Sequence, residues 1–261
     1  GGGVRLDPLL LGLGGGVDVG GGELQLGLEG SGGVASLWGR SPWIIQRLDA
    51  ARAEGIDLTA DIYPYTYWQA SMLVLLPERD PMDLAAIDFV MAELAPPDGI
   101  IFTYFPVEPS YVGMTLTEIA AVREQSPTEA FSALAQMSIA HETATGDVGD
   151  AVLGTSMSDD DIATFMAWPH TNICTDGGLH DRHPRGAGSF PRVLGRYVRE
   201  QGVLSLESAM ERMTGLSVQH MGCDERGVIA PGMIADLVLF NPDAVTDRAT
   251  TSEPFAPSEG I

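Results

Sequence analysis

The regular alternation of short apolar strands with helical segments is the feature that most limits the fold of this chain. Strands are predicted at 56–62, 100–104, 171–175 and 235–240, with a loop at 142–154. Helices are predicted at 41–55, 83–94 and 193–199, and after the capping residues Thr115, Ser126, Ser158 and Ser205. Strands that are separated by helices usually lie parallel in one sheet, so the pattern predicts a parallel α/β fold.

Residues 1–33 do not follow this pattern. They hold 14 of the 32 glycines, and the clusters leave neither a helical nor a strand period. A phosphate-binding loop needs a flanking strand and helix and usually a lysine, which this segment lacks. A flexible segment and a stretch translated in the wrong frame or from a broken start are the other interpretations. We favour the second of these and expect an irregular backbone here.

Net charge and cysteine content exclude several classes of partner. The chain has 36 acidic residues against 14 basic ones, all of them arginine, and a formal net charge of −22. It should repel nucleic acid and anionic membrane surfaces, which favours a small-molecule partner. Cys174 and Cys223 form no CxxC pair, and no apolar run is long enough to span a membrane. We therefore expect a cytoplasmic protein.

Two places in the sequence qualify for catalytic side chains, because these follow the C-terminal ends of strands in a parallel barrel. The first is the Tyr63-Pro64-Tyr65 corner after the strand at 56–62. The second is Asp176, which follows the strand at 171–175 and precedes two glycines. From spacing alone, Asp176 fits a catalytic carboxylate and an Asx turn or helix cap equally well.

A cationic loop follows Asp176 and contains His180, Arg182, His183 and Arg185. An arginine there could clamp a carboxylate through two parallel hydrogen bonds. The two histidines could ligate a metal, although a spacing of three in a loop is weak support for a metal site. The remaining histidines are expected to be structural or on the surface: His141, His170 and His220.

Several segments of the chain share a family resemblance. They are D-I-Y-P-Y-T at 61–66, T-D-G-G at 175–178, H-P-R-G-A-G-S-F-P-R-V-L-G-R-Y-V-R-E at 183–200, M-T-G-L at 213–216 and R-G-V-I-A-P-G-M-I-A-D-L-V-L-F at 226–240. Together they resemble the D-aminoacylase branch of the metal-dependent amidohydrolases, the N-acyl-D-amino-acid deacylases. The resemblance covers most of residues 34–261, and the combination is far more selective than any single segment.

The resemblance implies a fold and a division of the chain. Residues 34–221 would form the C-terminal half of a TIM-type (β/α)8 barrel, with an insertion at about 67–150. Residues 222–261 would form the C-terminal strand segment of a small β-domain. Residues 1–33 lie outside the family pattern.

The resemblance also implies a reaction, namely metal-dependent hydrolysis of the linear amide bond of N-acyl-D-amino acids. Asp176 would contact the metal, which is zinc or another divalent ion, and would move the proton from the metal-bound water to the leaving amine. Arg185, with Tyr63 near it, would hold the carboxylate of the N-acyl-amino acid.

The chain departs from the family pattern before the tyrosine corner. Family members carry a His-x-His pair, a bridging ligand and two further histidines there, and this chain has none of these histidines. Gly27-Leu28-Glu29 stands where the last of them is usual. Asp176 alone would leave the ion with one protein ligand, where catalytic zinc generally has about three. We therefore expect weak metal binding and an incomplete, inactive copy of the enzyme.

Two other functions remain open at this point. One is a non-catalytic homologue that binds acyl-amino acids or a partner protein, and the other is a hydrolase of cyclic amides, against which the H-P-R-G loop argues. An incomplete barrel exposes strand edges and an apolar inner face, so we expect self-association. If the chain folds alone, the strands near 56–62, 100–104 and 171–175 are expected to be neighbours.

Overall fold

The structure is a computed structural model that describes residues 17–20, 23–27, 38–178 and 181–261. Its strands are β1 (Val17–Gly20), β2 (Glu23–Gly27), β3 (Asp57–Ile62), β4 (Tyr67–Ala70), β5 (Ile100–Tyr104), β6 (Ala151–Thr155) and β7 (Thr171–Ile173). Its α-helices are α1 (Ser41–Ala53), α2 (Leu84–Phe89), α3 (Leu116–Val122), α4 (Pro127–Thr145), α5 (Asp159–Ala167), α6 (Arg185–Arg192), α7 (Leu206–Met213) and α8 (Gly215–His220). Helices α2 and α6 continue in π-helical geometry over Val90–Leu94 and Val193–Glu200. Short 3-10 turns lie at Met72–Leu75, Pro97–Gly99 and Pro109–Tyr111.

The first sheet has the strand order β1-β2-β3-β7, with β2, β3 and β7 parallel and β1 antiparallel to β2. Alternate residues of β3 (Leu58, Ala60 and Ile62) are fully buried, as the two-residue period of a strand predicts. They share one core with apolar side chains from the surrounding helices, including Ile44, Leu48, Phe165 and Tyr197. This sheet and its helices confirm the α/β prediction.

The second sheet is antiparallel and has the order β4-β6-β5. Trp68 of β4 lies over Gly154 of β6, where a Cβ would come within 2.1 Å of the indole, so this contact requires glycine. The sheet has a separate core, to which α2, α3 and α4 contribute Ile87, Leu116 and Phe131. Residues from β4 to β6 thus form a packed layer of their own, between β3 and β7 in sequence.

Most helix starts lie where the sequence predicts them. Thr115 and Ser126 form capping boxes with Glu118 and Glu129 at the starts of α3 and α4. Ser158 accepts a hydrogen bond at the start of α5, and Ser205 does so for α7. These contacts are local, which is why the sequence alone reveals them.

Three backbone predictions are wrong. Strand β5 does not neighbour β3 and β7, because it pairs with β6 in the second sheet. The loop predicted at 142–154 overlaps the end of α4 and nearly all of β6, an apolar strand that its glycine-rich and acidic surroundings conceal. The irregular backbone expected for residues 1–33 is contradicted at β1 and β2, an antiparallel pair that joins the first sheet through β3, and the rest of 1–33 lies outside the described residues.

The strand predicted at 235–240 is also not formed. Within 222–261, all of which the structure describes, the β pairing is an isolated bridge between Thr246 and Glu259. A strand needs a neighbour for its backbone groups, and no described segment pairs with this one. Its apolar side chains consequently face solvent, with Leu237 exposed by 69% and Leu239 by 91%.

None of the helices in the described ranges has the length and apolar character needed to cross a lipid bilayer. The cytoplasmic location stays a prediction.

Candidate active site

The candidate site lies at the shared C-terminal edge of β3 and β7. These strands are parallel, with Ile62 opposite Ile173, and the Cys174 amide donates a hydrogen bond of 3.0 Å to the Ile62 carbonyl. The chain therefore leaves both strands at the same edge of the sheet. This places Tyr63 and Asp176, one and three residues beyond those ends, on the same side of the molecule.

Asp176, Arg185 and Tyr63 lie in one contact cluster. The Asp176 Oδ2 is 2.8 Å from Nη1 of Arg185, and the guanidinium carbon of Arg185 lies 4.8 Å from the centre of the Tyr63 ring. The Asp176 side chain is 52% exposed, whereas Arg185 and Tyr63 are buried. The three candidate residues are thus brought together, with the acid on the solvent side and the arginine held against the aromatic ring.

The loop after Asp176 depends on close backbone contacts. Asp176 itself has a φ of +45°, in the left-handed region that aspartate tolerates better than most residues. A Cβ on Gly177 would lie 2.5 Å from the Cα of Gly186, and the Gly178 amide donates a hydrogen bond of 2.7 Å to Asp181. These contacts fold the loop back onto the start of α6, so that Arg185 reaches Asp176.

His183 is a structural residue rather than a metal ligand in this arrangement. Its Nε2 lies 2.8 Å from the Tyr67 carbonyl, its Nδ1 accepts from the Arg185 amide at 2.9 Å, and its ring lies against three tyrosines. Burial lowers the pKa of His183 to about 3 and outweighs the hydrogen bond to Tyr67, which raises it. Both ring nitrogens have hydrogen-bond partners within the protein, so this arrangement does not favour His183 as a metal ligand. His180 lies outside the described residues.

The described residues do not contain a donor set that fits a metal ion. No group of three or more His, Cys, Asp or Glu side chains in that part of the chain could hold one. His170 contacts Trp168 before β7, His220 contacts Asn172, and His141 lies in α4. At the candidate site, Asp176 faces an arginine rather than other acidic or imidazole donors. The zinc or other divalent ion implied by the sequence resemblance therefore has one candidate ligand among the described residues.

A second arginine contacts the tyrosine corner and was not predicted. Arg192 stacks on Tyr65 at 4.7 Å, donates from Nε to the Pro64 carbonyl at 2.8 Å and pairs with Asp247 at 3.0 Å. Burial lowers the pKa of Arg192, but the Asp247 carboxylate more than offsets this, and the net pKa lies above its usual value. The helix predicted at 193–199 begins earlier in the structure, at Arg185, so the seven-residue spacing from Arg185 to Arg192 could not be interpreted as one helix face from the sequence.

A small cleft opens beside the loop that follows Asp176. It has a volume of about 220 Å³ and is lined by Gly177, Gly178, Asp181, His183, Gly186, Ala187, Pro254 and Phe255. Residues 222–261, which we call the C-terminal segment, therefore contribute one wall of the cleft through Pro254 and Phe255, next to the loop that carries Asp176. A larger cleft of about 550 Å³ lies between α6, α7 and the C-terminal segment and is mostly apolar.

Similarities to known proteins identify the family. No protein-family model matches the chain. It is 34% identical over 226 residues to an N-acyl-D-glutamate deacylase of Alcaligenes xylosoxydans xylosoxydans, covering 86% of this chain and 40% of that protein. The structure is similar to N-acyl-D-glutamate deacylase from Bordetella bronchiseptica, crystallised with zinc and a phosphonate inhibitor, with a TM-score of 0.69 and 36% identity over 87% of this chain and 42% of that one.

A crystal structure of D-aminoacylase, described as defining a novel subset of amidohydrolases, is also similar, with a TM-score of 0.68 and 32% identity over 87% of this chain and 42% of the other. The chain thus spans about two fifths of the length of the proteins it matches. The family resemblance of the sequence and these similarities agree with each other. The chain belongs to the N-acyl-D-amino-acid deacylase, or D-aminoacylase, family of amidohydrolases.

Proposed function

We propose that this chain carries the carboxylate-binding part of an N-acyl-D-amino-acid deacylase site and is not hydrolytic by itself. Residues 34–221 would be the C-terminal part of the (β/α)8 barrel, with the insertion at about 67–150, and residues 222–261 would belong to a small β-domain. The observation that supports this proposal is the contact of Asp176 with Arg185 and of Arg185 with Tyr63.

Arg185 would bind the carboxylate of the N-acyl-amino acid. The chain carries a net charge of −22, so an anionic ligand needs a local cation that overcomes general repulsion. Arg185 is the buried cation of the site, and its planar guanidinium suits a two-pronged contact with a carboxylate. Tyr63 holds the guanidinium plane by stacking and so limits its orientations.

Asp176 would be the group that moves protons at the reacting amide. Its carboxylate is half exposed and lies beside the carboxylate-binding arginine, which is the position that a general acid or base requires. In this structure the Asp176 carboxylate pairs with Nη1 of Arg185. A substrate carboxylate that binds Arg185 through Nη1 would therefore have to displace Asp176 from that atom.

The proposed lack of hydrolysis rests on the donor set. With one candidate ligand among the described residues, nothing in that part of the chain holds a metal ion where Asp176 could act with it. The zinc of the Bordetella relative belongs to that protein, and we derive no step through a metal for this chain. The function supported for the chain alone is therefore binding of N-acyl-amino acids.

The experiment measures turnover and binding with the purified chain. We expect no release of amine from N-acetyl-D-glutamate or N-acetyl-D-methionine with added zinc, under conditions in which the Bordetella relative is active. We expect calorimetry to detect binding of N-acetyl-D-glutamate that Arg185→Met weakens by about tenfold or more. Arg182→Met removes the same charge from an exposed arginine that stacks on Tyr104, and should bind like the wild type. Turnover would contradict the inactive copy, and equal binding by Arg185→Met would contradict the clamp.

We also propose that the chain self-associates. In the first sheet as described, β7 is a three-residue edge strand, and the C-terminal segment exposes Leu237, Val238 and Leu239. An open sheet edge and exposed apolar surface each favour association between copies. Sedimentation over a range of concentrations should show oligomers that Leu239→Glu reduces, and a monomer at every concentration would contradict the proposal.

A further inference from the structure

Helix α6 presents two arginines to the same tyrosine corner. Arg185 and Arg192 are seven residues apart, which places them on one face of the helix, two turns from each other. Arg185 stacks on Tyr63 at 4.8 Å, and Arg192 stacks on Tyr65 at 4.7 Å. Alternate tyrosines of the corner are thus matched to successive arginines of the helix.

Arg192 contacts the corner backbone as well as its ring. Its Nε donates a hydrogen bond of 2.8 Å to the carbonyl of Pro64, the residue between the two stacked tyrosines. Tyr65 is only 2% exposed, and its hydroxyl lies 3.4 Å from the Pro184 carbonyl at the start of α6. The corner therefore has contacts with both ends of the helix.

The space for this arrangement exists because position 188 is glycine. Gly188 lies on the same face between the two arginines, and a Cβ there would approach the Tyr65 hydroxyl to 2.3 Å. The same Cβ would lie 3.3 Å from the Cβ of Asp247. Tyr65 and Asp247 therefore both lie over this position of the helix.

Asp247 fixes Arg192 from the C-terminal segment. Its Oδ2 lies 3.0 Å from Nη1 of Arg192, and its side chain is only 14% exposed. Neighbouring contacts hold this segment to the helix, including the bond of 2.7 Å from Arg199 to the Val245 carbonyl. The segment thus supplies the counter-charge that keeps Arg192 in place under the corner.

We propose that Arg192, held by Asp247, is a positioning residue that sets the Tyr63–Tyr65 corner so that Tyr63 faces Arg185 and the carboxylate site is preformed. The consequence for ligand binding rests on the proposed function, whereas the consequence for the corner geometry does not. The alternative is that Arg192 and Asp247 form an ion pair that only stabilises the fold. The two roles differ in what happens at the corner when the pair is removed.

The experiment compares Arg192→Gln, Arg192→Lys and Asp247→Asn with Arg199→Gln in the full 261-residue chain. Arg199→Gln is the matched control, because it removes a contact between the same helical segment and the same C-terminal segment without touching the tyrosines. The probe of geometry is the NMR signal of the His183 imidazole, which lies within 5.7 Å of the rings of Tyr63, Tyr65 and Tyr67. The ligand probe is N-acetyl-D-glutamate, and thermal unfolding is recorded for every variant.

We expect Arg192→Gln to move the His183 signal and to weaken N-acetyl-D-glutamate binding by about tenfold. Arg192→Lys should restore part of both, because lysine keeps the charge but loses the planar stack. Asp247→Asn should act in the same direction and serves if Arg192→Gln fails to fold. Arg199→Gln should lower the unfolding temperature while leaving the His183 signal and the affinity within twofold of the wild type.

Two results would overturn the inference. One is an unmoved His183 signal in folded Arg192→Gln or Asp247→Asn. The other is an equal change of signal and affinity in Arg199→Gln, which would mean a general structural effect. If the wild-type chain does not bind N-acetyl-D-glutamate, the proposed function fails, and the His183 signal still decides whether Arg192 sets the corner.

Discussion

Each end of α6 has an arginine that stacks on a tyrosine and pairs with an aspartate, but the two aspartates differ in exposure. At the start, Arg185 stacks on Tyr63 and pairs with Asp176, whose side chain is 52% exposed. At the end, Arg192 stacks on Tyr65 and pairs with Asp247, whose side chain is 14% exposed. An exposed carboxylate is solvated by water when it separates from its arginine. Separating a buried pair leaves an unpaired charge inside the protein, which costs more free energy. At the first pair, which we call the exchangeable end of α6, a ligand carboxylate could replace Asp176 on Arg185. The second pair, Arg192 with Asp247, is suited to hold the tyrosine corner in place, and we call it the fixed end.

The largest expected effect tests the fixed end. Gly188→Ala should lower the free energy of unfolding by about 2–3 kcal/mol, because its Cβ overlaps the Tyr65 hydroxyl and crowds Asp247. Urea denaturation measures this. Gly186→Ala is the control in the same helix, since its Cβ would meet nothing closer than 3.6 Å. It should be neutral or stabilising by up to about 1 kcal/mol, through helix propensity. Equal losses in both variants would show that the close contact at Gly188 is unimportant.

The next effect concerns His183, which lies beside the exchangeable end. Burial holds its pKa at about 3, below the usual value of 6.5, so the unfolded chain binds the extra proton between these values. Stability should fall as the pH drops from 7 towards 3, by about 2 kcal/mol between pH 7 and 5 from this group. Urea denaturation at pH 7 and pH 5 measures the loss. His183→Gln should reduce the difference between the two pH values, whereas His141→Gln on α4 should leave it unchanged. A difference as large in His183→Gln as in the wild type would contradict the assignment.

The smallest effect tests the exchangeable end. Asp176→Asn should strengthen binding of N-acetyl-D-glutamate by about tenfold, because the nearer of the two carboxylates that pair with Arg185 is removed and only Asp181, at 4.0 Å, remains. Asp159→Asn is a closely matched control, since Asp159 pairs with Arg196 at the same distance of 2.8 Å and is also 52% exposed, but does so away from the corner. Calorimetry should show little change for the control. Weaker binding by Asp176→Asn would mean that the carboxylate helps to orient the ligand rather than competing with it.

The candidate site was predictable where it depends on neighbours in sequence. Asp176 follows an apolar strand and precedes two glycines, and the Tyr63-Pro64-Tyr65 corner contains the proline that stops a strand. Both positions follow from strand ends in a parallel sheet. Arg192 and Asp247 were not predicted, because they are 55 positions apart and meet only after the C-terminal segment folds back on α6. His183 was open to a ligand role until the Tyr67 carbonyl and the Arg185 amide were seen to occupy its ring.

The sequence by itself determined the α/β class, the capped helix starts at Thr115, Ser126, Ser158 and Ser205, and the family resemblance. These depend on periodicity, on contacts within a few residues and on motifs that can be read directly. Only the tertiary structure decided that β5 pairs with β6 in a second sheet and that residues 235–240 do not form a strand. The physical reason is that a strand is defined by its hydrogen-bonded neighbour, which its own residues do not specify.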